Sequence, residues 1–214
     1  MSKLTDSLLS GSSGSIGRLV VANVYGTEIL KSRPRKRSSA PSPKQQLVQN
    51  RMKMCGNFIA SYRDFAKLYY GQRIGLKSRF NQAMTNLMNG HILNYTLMTI
   101  TPDYPFLEFS KGNLPGIMSA ALSTPAAATV KIDWTDNSGA DPVRSTDKLQ
   151  ILYLAEDSQK TVFLQTGSER LDTTHSISLP AFLSGKNVHV WACFLSESGF
   201  EVSTSQYLGS IAVS

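Results

Sequence analysis

This chain is poor in the residues that usually identify chemistry. It has two cysteines in 214 residues, Cys55 and Cys193, far apart and in segments of different character. That argues against a disulfide framework or a paired-cysteine zinc site and predicts two buried thiols. Three histidines, His91, His175 and His189, show no ligand spacing, and the latter two fall on expected strands, at the surface or rim. No Gly-x-Ser-x-Gly elbow occurs. Gly11-Ser-Ser-Gly14-Ser-Ile-Gly17 lacks the Lys-Ser/Thr of a phosphate loop and precedes a hairpin rather than a helix. Asp133, Asp136 and Asp141 cluster around one turn, which reads as solvated rather than as a calcium site. Together these gaps predict a protein that is not an enzyme, with no cofactor, no metal and no small-molecule substrate.

Long apolar runs are also missing. Nothing approaches the roughly 20 residues of a membrane-spanning helix, and MSKLTDSLLSGSSGSIG has no apolar core of signal-peptide length. The expectation is a soluble protein synthesised in the cytoplasm, reaching any final site outside it by a non-classical route.

Acidic residues are scarce in front. Residues 1–100 hold 15 Lys and Arg against Asp6, Glu28 and Asp64, a net of +12, whereas residues 101–214 hold 7 basic and 12 acidic side chains, a net of −5. Such asymmetry points to a polyanion or an acidic partner surface, another copy of the chain included. A hydrophobic fraction of 41% with 17% charged residues describes a globular chain, leaning toward β structure or toward surface buried against partners.

Residues 1–15 read as a flexible Gly/Ser lead-in. Gly17–Leu30 divides into two β-prone runs at Tyr25-Gly26-Thr27, a hairpin. Lys31-Ser-Arg-Pro-Arg-Lys-Arg37, followed by Ser38-Ser-Ala-Pro-Ser-Pro43, predicts an extended arm with five positive charges. Ser42-Pro43 opens a helix to about residue 70, with Leu47, Met54, Phe58, Phe65 and Leu68 on its apolar stripe. A second helix follows with Leu76, Phe80, Met84 and Leu87 inward, closed by Asn89-Gly90. Phe106–Phe109 reads as a short strand and Ser110–Gly116 as a linker. Six alternating runs follow, 128–134, 149–155, 161–164, 175–179, 187–195 and 207–213, the pattern of a β-sandwich. The fold class is therefore α+β: an N-terminal β-hairpin, basic arm and helical hairpin over 16–110, then an all-β sandwich over 111–214.

Val130-Lys-Ile-Asp-Trp134 and Val188-His-Val-Trp-Ala192 resemble the second and sixth strands of a fibronectin type III-like sandwich, with Trp134 and Trp191 as core residues; the corner tyrosine of that fold, expected near Lys186, is absent. The whole chain resembles an uncharacterised family of Bacteroidota proteins, domain of unknown function 6266. The matching pieces are Ile29-Leu-Lys-Ser-Arg-Pro34, Gln45-Gln46 with Arg51, Phe109-Ser-Lys-Gly-Asn-Leu-Pro115, Asp133-Trp-Thr-Asp-Asn-Ser138 and Ser205-Gln-Tyr-Leu-Gly209. That resemblance implies an architecture but no activity.

The residues expected to contact a partner are Lys31, Arg33, Arg35, Lys36, Arg37, Arg51 and Lys53. Two functions fit them. One is a self-assembling structural subunit of a filament, surface array or virion-like particle. The other is non-specific nucleic-acid binding, with five phosphate contacts giving a log-affinity slope of about −4 to −5 against log salt.

Overall fold

The computed structural model describes residues 2–4, 9–24, 26–35, 40–139 and 141–214. It divides into two compact units, residues 1–42 with 74–76, and residues 43–73 with 77–214. The division falls at the start of the first helix, not at residue 110.

In the first unit β1 (Ser2–Lys3), β2 (Gly14–Ile16), β3 (Leu19–Val24) and β4 (Thr27–Ser32) form an antiparallel sheet in the order β1-β4-β3-β2. The expected hairpin is β3–β4, with Gly26 at φ +79° and its N–H donating to Asn23 Oδ1 at 2.8 Å. Tyr25 lies outside the described residues. The Gly/Ser-rich lead-in supplies both edge strands, so the hairpin is the centre of a larger sheet. Period-2 alternation puts Leu19, Val21 and Leu30 on one face and Val20, Ala22, Val24 and Ile29 on the other. Both faces thus carry apolar residues interleaved with polar ones, Asn23, Glu28 and Ser32 on the first and Thr27 and Lys31 on the second, and Val21, 2% exposed, is the sheet's one buried hydrophobic among the described residues.

The second unit opens with α1 (Pro43–Ile59), a 3-10 turn (Ala60–Tyr62) and α2 (Arg63–Tyr69), followed after a break by α3 (Arg79–Gly90). The 3-10 turn changes which residues face inward. Three residues at three per turn instead of 3.6 rotate the stripe by about 60°, and Leu68, expected inward, is 58% exposed. Leu76 precedes α3 and is exposed too. Ser78 starts α3 as its N-cap, Oγ accepting from the Asn81 N–H at 3.2 Å.

A hairpin follows that the sequence reading did not anticipate, β5 (His91–Asn94) with β6 (Thr99–Pro102). The strand expected at 106–109 is absent. Residues 104–106 form a 3-10 turn, and the Phe109 and Ser110 N–H groups donate to Ser205 Oγ at 2.8 and 3.3 Å instead of to a neighbouring strand. Nor is 110–116 a linker: Lys111 bridges to Tyr70, Asn113 and Leu114 bridge to Ser203, and buried Ser110 donates to the Ser203 carbonyl at 2.9 Å.

The sandwich comprises β7 (Met118–Ala126), β8 (Thr129–Thr135), β9 (Lys148–Ala155), β10 (Val162–Glu169), β11 (Thr174–Ser178), β12 (Asn187–Leu195) and β13 (Gln206–Ala212). A four-stranded sheet β10-β9-β12-β13 faces a three-stranded sheet β11-β8-β7, all pairs antiparallel, the fibronectin type III-like arrangement. Six strands lie within a few residues of their expected positions, and β7 is the seventh.

The four-stranded sheet is buried on both faces. Its inner face, with Leu149, Ile151, Val188, Val190 and Phe194, packs with Val130, Ile132 and Trp134. Its outer face, with Leu152, Leu154, Trp191 and Cys193, packs under Cys55, Phe58, Tyr62 and Phe65 of the helical segment. This is why β9 and β12 read as nearly continuous apolar runs. Both tryptophans are core residues, as expected, but in different layers. Trp191 meets Phe58 edge to face, centroids 5.7 Å apart, a pairing that adds about 0.5–1.5 kcal/mol to the area term.

One end of the sandwich is closed by Arg170, which is 0% exposed. Its Nη2 donates to Asp147 Oδ2 and to the Pro115 carbonyl, both at 2.9 Å, and Nε reaches Asp147 at 3.3 Å. Nη1 serves the Gly116 carbonyl and Asn137 Oδ1, so all five N–H donors have partners. The guanidinium lies 3.9 Å from the Phe194 ring centroid, and the Arg170 carbonyl accepts from Trp134 Nε1 at 2.8 Å.

Candidate interaction surfaces

The seven expected contact residues separate. Lys31 is the penultimate residue of β4, and Arg33 and Arg35 follow the strand; all three are exposed in the first unit, with the Arg33 N–H donating to the Arg18 carbonyl at 2.7 Å. Lys36 and Arg37 lie outside the described residues. Lys53 is exposed on α1, beside a cavity of about 490 Å³ that it lines with Leu47, Met54, Met98 and Ile100. Arg51 behaves differently. It is half-buried, and its Nη1 donates to the Met88 carbonyl near the C-terminal end of α3 at 3.4 Å, where a cation meets the negative end of a helix. Arg51 is therefore spent on helix packing.

Beneath Arg51 lies an arrangement that superficially suggests a nucleophile. Cys55 Sγ is 3.7 Å from His91 Nδ1. That nitrogen is 2.8 Å from the Leu87 carbonyl, so it carries the proton and donates it there. Burial pushes the Cys55 thiol up to about 11, with the Arg51 charge pulling it only partly back, and burial holds His91 below its usual 6.5. Both partners are thus neutral near pH 7, the opposite of a thiolate–imidazolium pair. Cys193 is also buried and pushed up to about 12.

His175 and His189 are half-buried on strands, as expected. His175 Nδ1 is 2.7 Å from Ser168 Oγ. His189 Nδ1 is 2.8 Å from Tyr207 Oη, and its ring stacks on Tyr104 at 3.8 Å. Burial lowers both pKa values.

The aspartates of the 133–141 turn are committed locally. Asp133 pairs with Lys131 at 2.8 Å, Asp136 accepts from the Ser138 N–H and hydroxyl, and Asp141 accepts from the Val143 N–H and pairs with Arg144. Among the described residues no group of three or more His, Cys, Asp or Glu side chains is placed to hold a metal ion. No described helix is long and apolar enough to cross a membrane.

Two surface features escaped the sequence reading. Phe200, in the turn after β12, is 88% exposed, and Phe182, before β12, is 72% exposed. The signal was present in Ser196-Glu-Ser-Gly-Phe-Glu201, where an aromatic residue sits among turn formers and carboxylates.

A family model described as "Family of unknown function (DUF6266)" matches residues 11–209. No curated protein matches the chain. Among solved structures, the fn3 domain of human collagen alpha-1(XX) chain is similar at 11% identity over 49% of this chain and 89% of that one, with a TM-score of 0.36. A crystal structure of an FN3 domain of human collagen XX is similar at 19% identity over 47% and 92%, TM-score 0.35. The FN1–FN3 domains of chicken CNTN1 follow at 10% identity over 48% and 32%, TM-score 0.35.

Proposed function

The chain belongs to that DUF6266 family, which assigns it no activity, and from its own surfaces we propose a non-enzymatic structural protein that assembles with copies of itself into a filament, surface array or virion-like particle. The observation that carries this reading is the first unit. Its sheet carries apolar residues on both faces, with Val21 alone buried among the described residues and Ile16 and Leu19 exposed, and such residues gain from cover by another surface. The same unit carries seven basic residues and two acidic ones, a net of +5, opposite in sign to the −5 of residues 101–214. Apolar faces supply affinity, and opposite charge steers one copy onto the next. A contact between different surfaces repeats from copy to copy and closes into rings or runs on as filaments.

Light scattering on nuclease-treated protein at low and high salt, followed by negative-stain imaging, tests this. The full chain is expected to form large regular particles without nucleic acid, and the Lys31→Glu, Arg33→Glu, Arg35→Glu variant to lose them. Exposure of the same three cations supports the second reading, non-specific nucleic-acid binding. Protein that stays monomeric until DNA or RNA is added, with a slope of about −4 to −5 in log salt, replaces the first reading with the second.

A further inference from the structure

The turn that carries Phe200 is pinned. The Ser196 N–H donates to the Glu201 carbonyl and the Gly199 N–H to the Ser196 carbonyl, both at 2.9 Å, and Ser196 Oγ accepts from the Glu201 N–H at 3.0 Å. From α2, Tyr69 Oη donates to the Gly199 carbonyl at 2.9 Å. Phe200 is thus held out in water by a defined framework rather than left there by a loose loop. Glu197 and Glu201 flank it, and both are exposed.

At the other end of β12 is a groove. Tyr153 and Ala155 from the end of β9, Val162 from the start of β10, and Pro180 and Leu183 line a cavity of about 240 Å³. That is below the roughly 300–1,000 Å³ of small-molecule sites and suits a single aromatic side chain. Phe182 forms an exposed lip. Lys160 and Lys186 stand on the rim, Lys186 sharing its charge with Asp157 at 3.1 Å.

Strand register fixes how far apart the two features are. Ala155 pairs with Val188 at the beginning of β12 and Lys148 with Leu195 at its end. Nine residues of strand, ~30 Å at about 3.3 Å each, separate groove from turn, so neither can serve the other within one copy.

We propose that the sandwiches of successive copies dock head to tail, Phe200 of one copy entering the groove of the next while Glu197 and Glu201 meet Lys160 and Lys186. This rests on the self-assembly reading and adds a contact outside the first unit. The buried aromatic supplies the affinity and the charges the orientation. Every copy carries one turn and one groove at opposite ends, so the contact propagates instead of closing as a symmetric dimer.

Cross-linking of the full chain tests it, because both native thiols are buried. A Ser198→Cys, Phe182→Cys double variant, which keeps Phe200, is expected to give a ladder of disulfide-linked multimers on oxidation. An equimolar mixture of the two single variants should give a dimer containing one of each. Phe200→Ser, at an exposed position, should raise the concentration needed for association by about tenfold or more. Particles in light scattering without a ladder, and unchanged by Phe200→Ser, would overturn this contact and leave the N-terminal reading standing. A Ser198→Cys homodimer in place of the mixed dimer would overturn the head-to-tail order. Wild-type protein monomeric at every concentration would remove both readings.

Discussion

Arg170 and the histidines govern what single side chains do for this protein. The Arg170 guanidinium and Asp147 are both inaccessible to water, so removing one strands the other's charge in a low-dielectric interior. Arg170→Met is expected to cost about 3–5 kcal/mol, read as a lower urea midpoint at unchanged slope. It also frees the Pro115 and Gly116 carbonyls, and adding Asp147→Leu should return part of the loss. The histidines set the acid side. Burial lowers the pKa of His91, His175 and His189 in the fold, whereas the unfolded chain takes up protons near 6.5. Their contribution is complete above pH 6.5 and is lost as pH falls through the lowered native values, because the unfolded state then binds more protons. Asp64, Asp133 and Asp136 are held below 3.8 and stay ionised over that window. The urea midpoint should therefore drop between pH 7 and pH 5, and a midpoint that stays put would contradict the buried neutral imidazoles. Arg170 shows the limit of sequence reading at this scale: in Ser168-Glu-Arg-Leu171 it looks like a surface cation, and only the meeting of four loop segments makes it a core residue.

At the scale of elements, two glycines make opposite tests. Gly56 lies inside α1, and a Cβ there meets nothing within 4 Å; Gly56→Ala should stabilise by about 0.5–1 kcal/mol through helix propensity. A Cβ on Gly112 would sit 2.0 Å from the Val202 carbonyl oxygen, so Gly112→Ala should part the 110–114 segment from 202–205 and lower the thermal midpoint sharply. Parallel melts of the two variants give the comparison. The elements legible in advance were those with a strong apolar signal. β8 alternates Val130, Ile132 and Trp134 with polar residues, β9 and β12 are short, nearly continuous apolar runs between turn formers, and α1 opens on Ser42-Pro43. β7, Met118-Ser-Ala-Ala-Leu-Ser-Thr-Pro-Ala126, is too rich in small residues to show its alternation. The β5–β6 hairpin is four residues a side with a turn of Tyr95, Thr96, Leu97 and Met98, lacking the Asn-Gly signal of a tight hairpin. Phe106–Phe109 mimicked a strand because Leu107 and Phe109 do point into the core, but the Leu107 N–H donates to the Tyr104 carbonyl within the 3-10 turn, and the Glu108 and Phe109 N–H groups donate to side chains. In the candidate site, the exposure of Lys31, Arg33 and Arg35 was readable from the Lys, Arg and Pro spacing, although Lys31 lies in β4 rather than in an arm. The inward turn of Arg51 was not, since it depends on where α3 ends.

The second unit contains a sandwich whose two sheets each turn one face outward. Here α1 and α2 seal one of those faces, with Phe58, Tyr62 and Phe65 pressed on Leu152, Leu154 and Trp191. A segment cut at residue 111 would bare that apolar surface, along with the Cys193 thiol. The helices and the sandwich of the second unit thus form one folding body: the full unit should melt in a single transition, and a sandwich expressed without its helices should aggregate through the bared face.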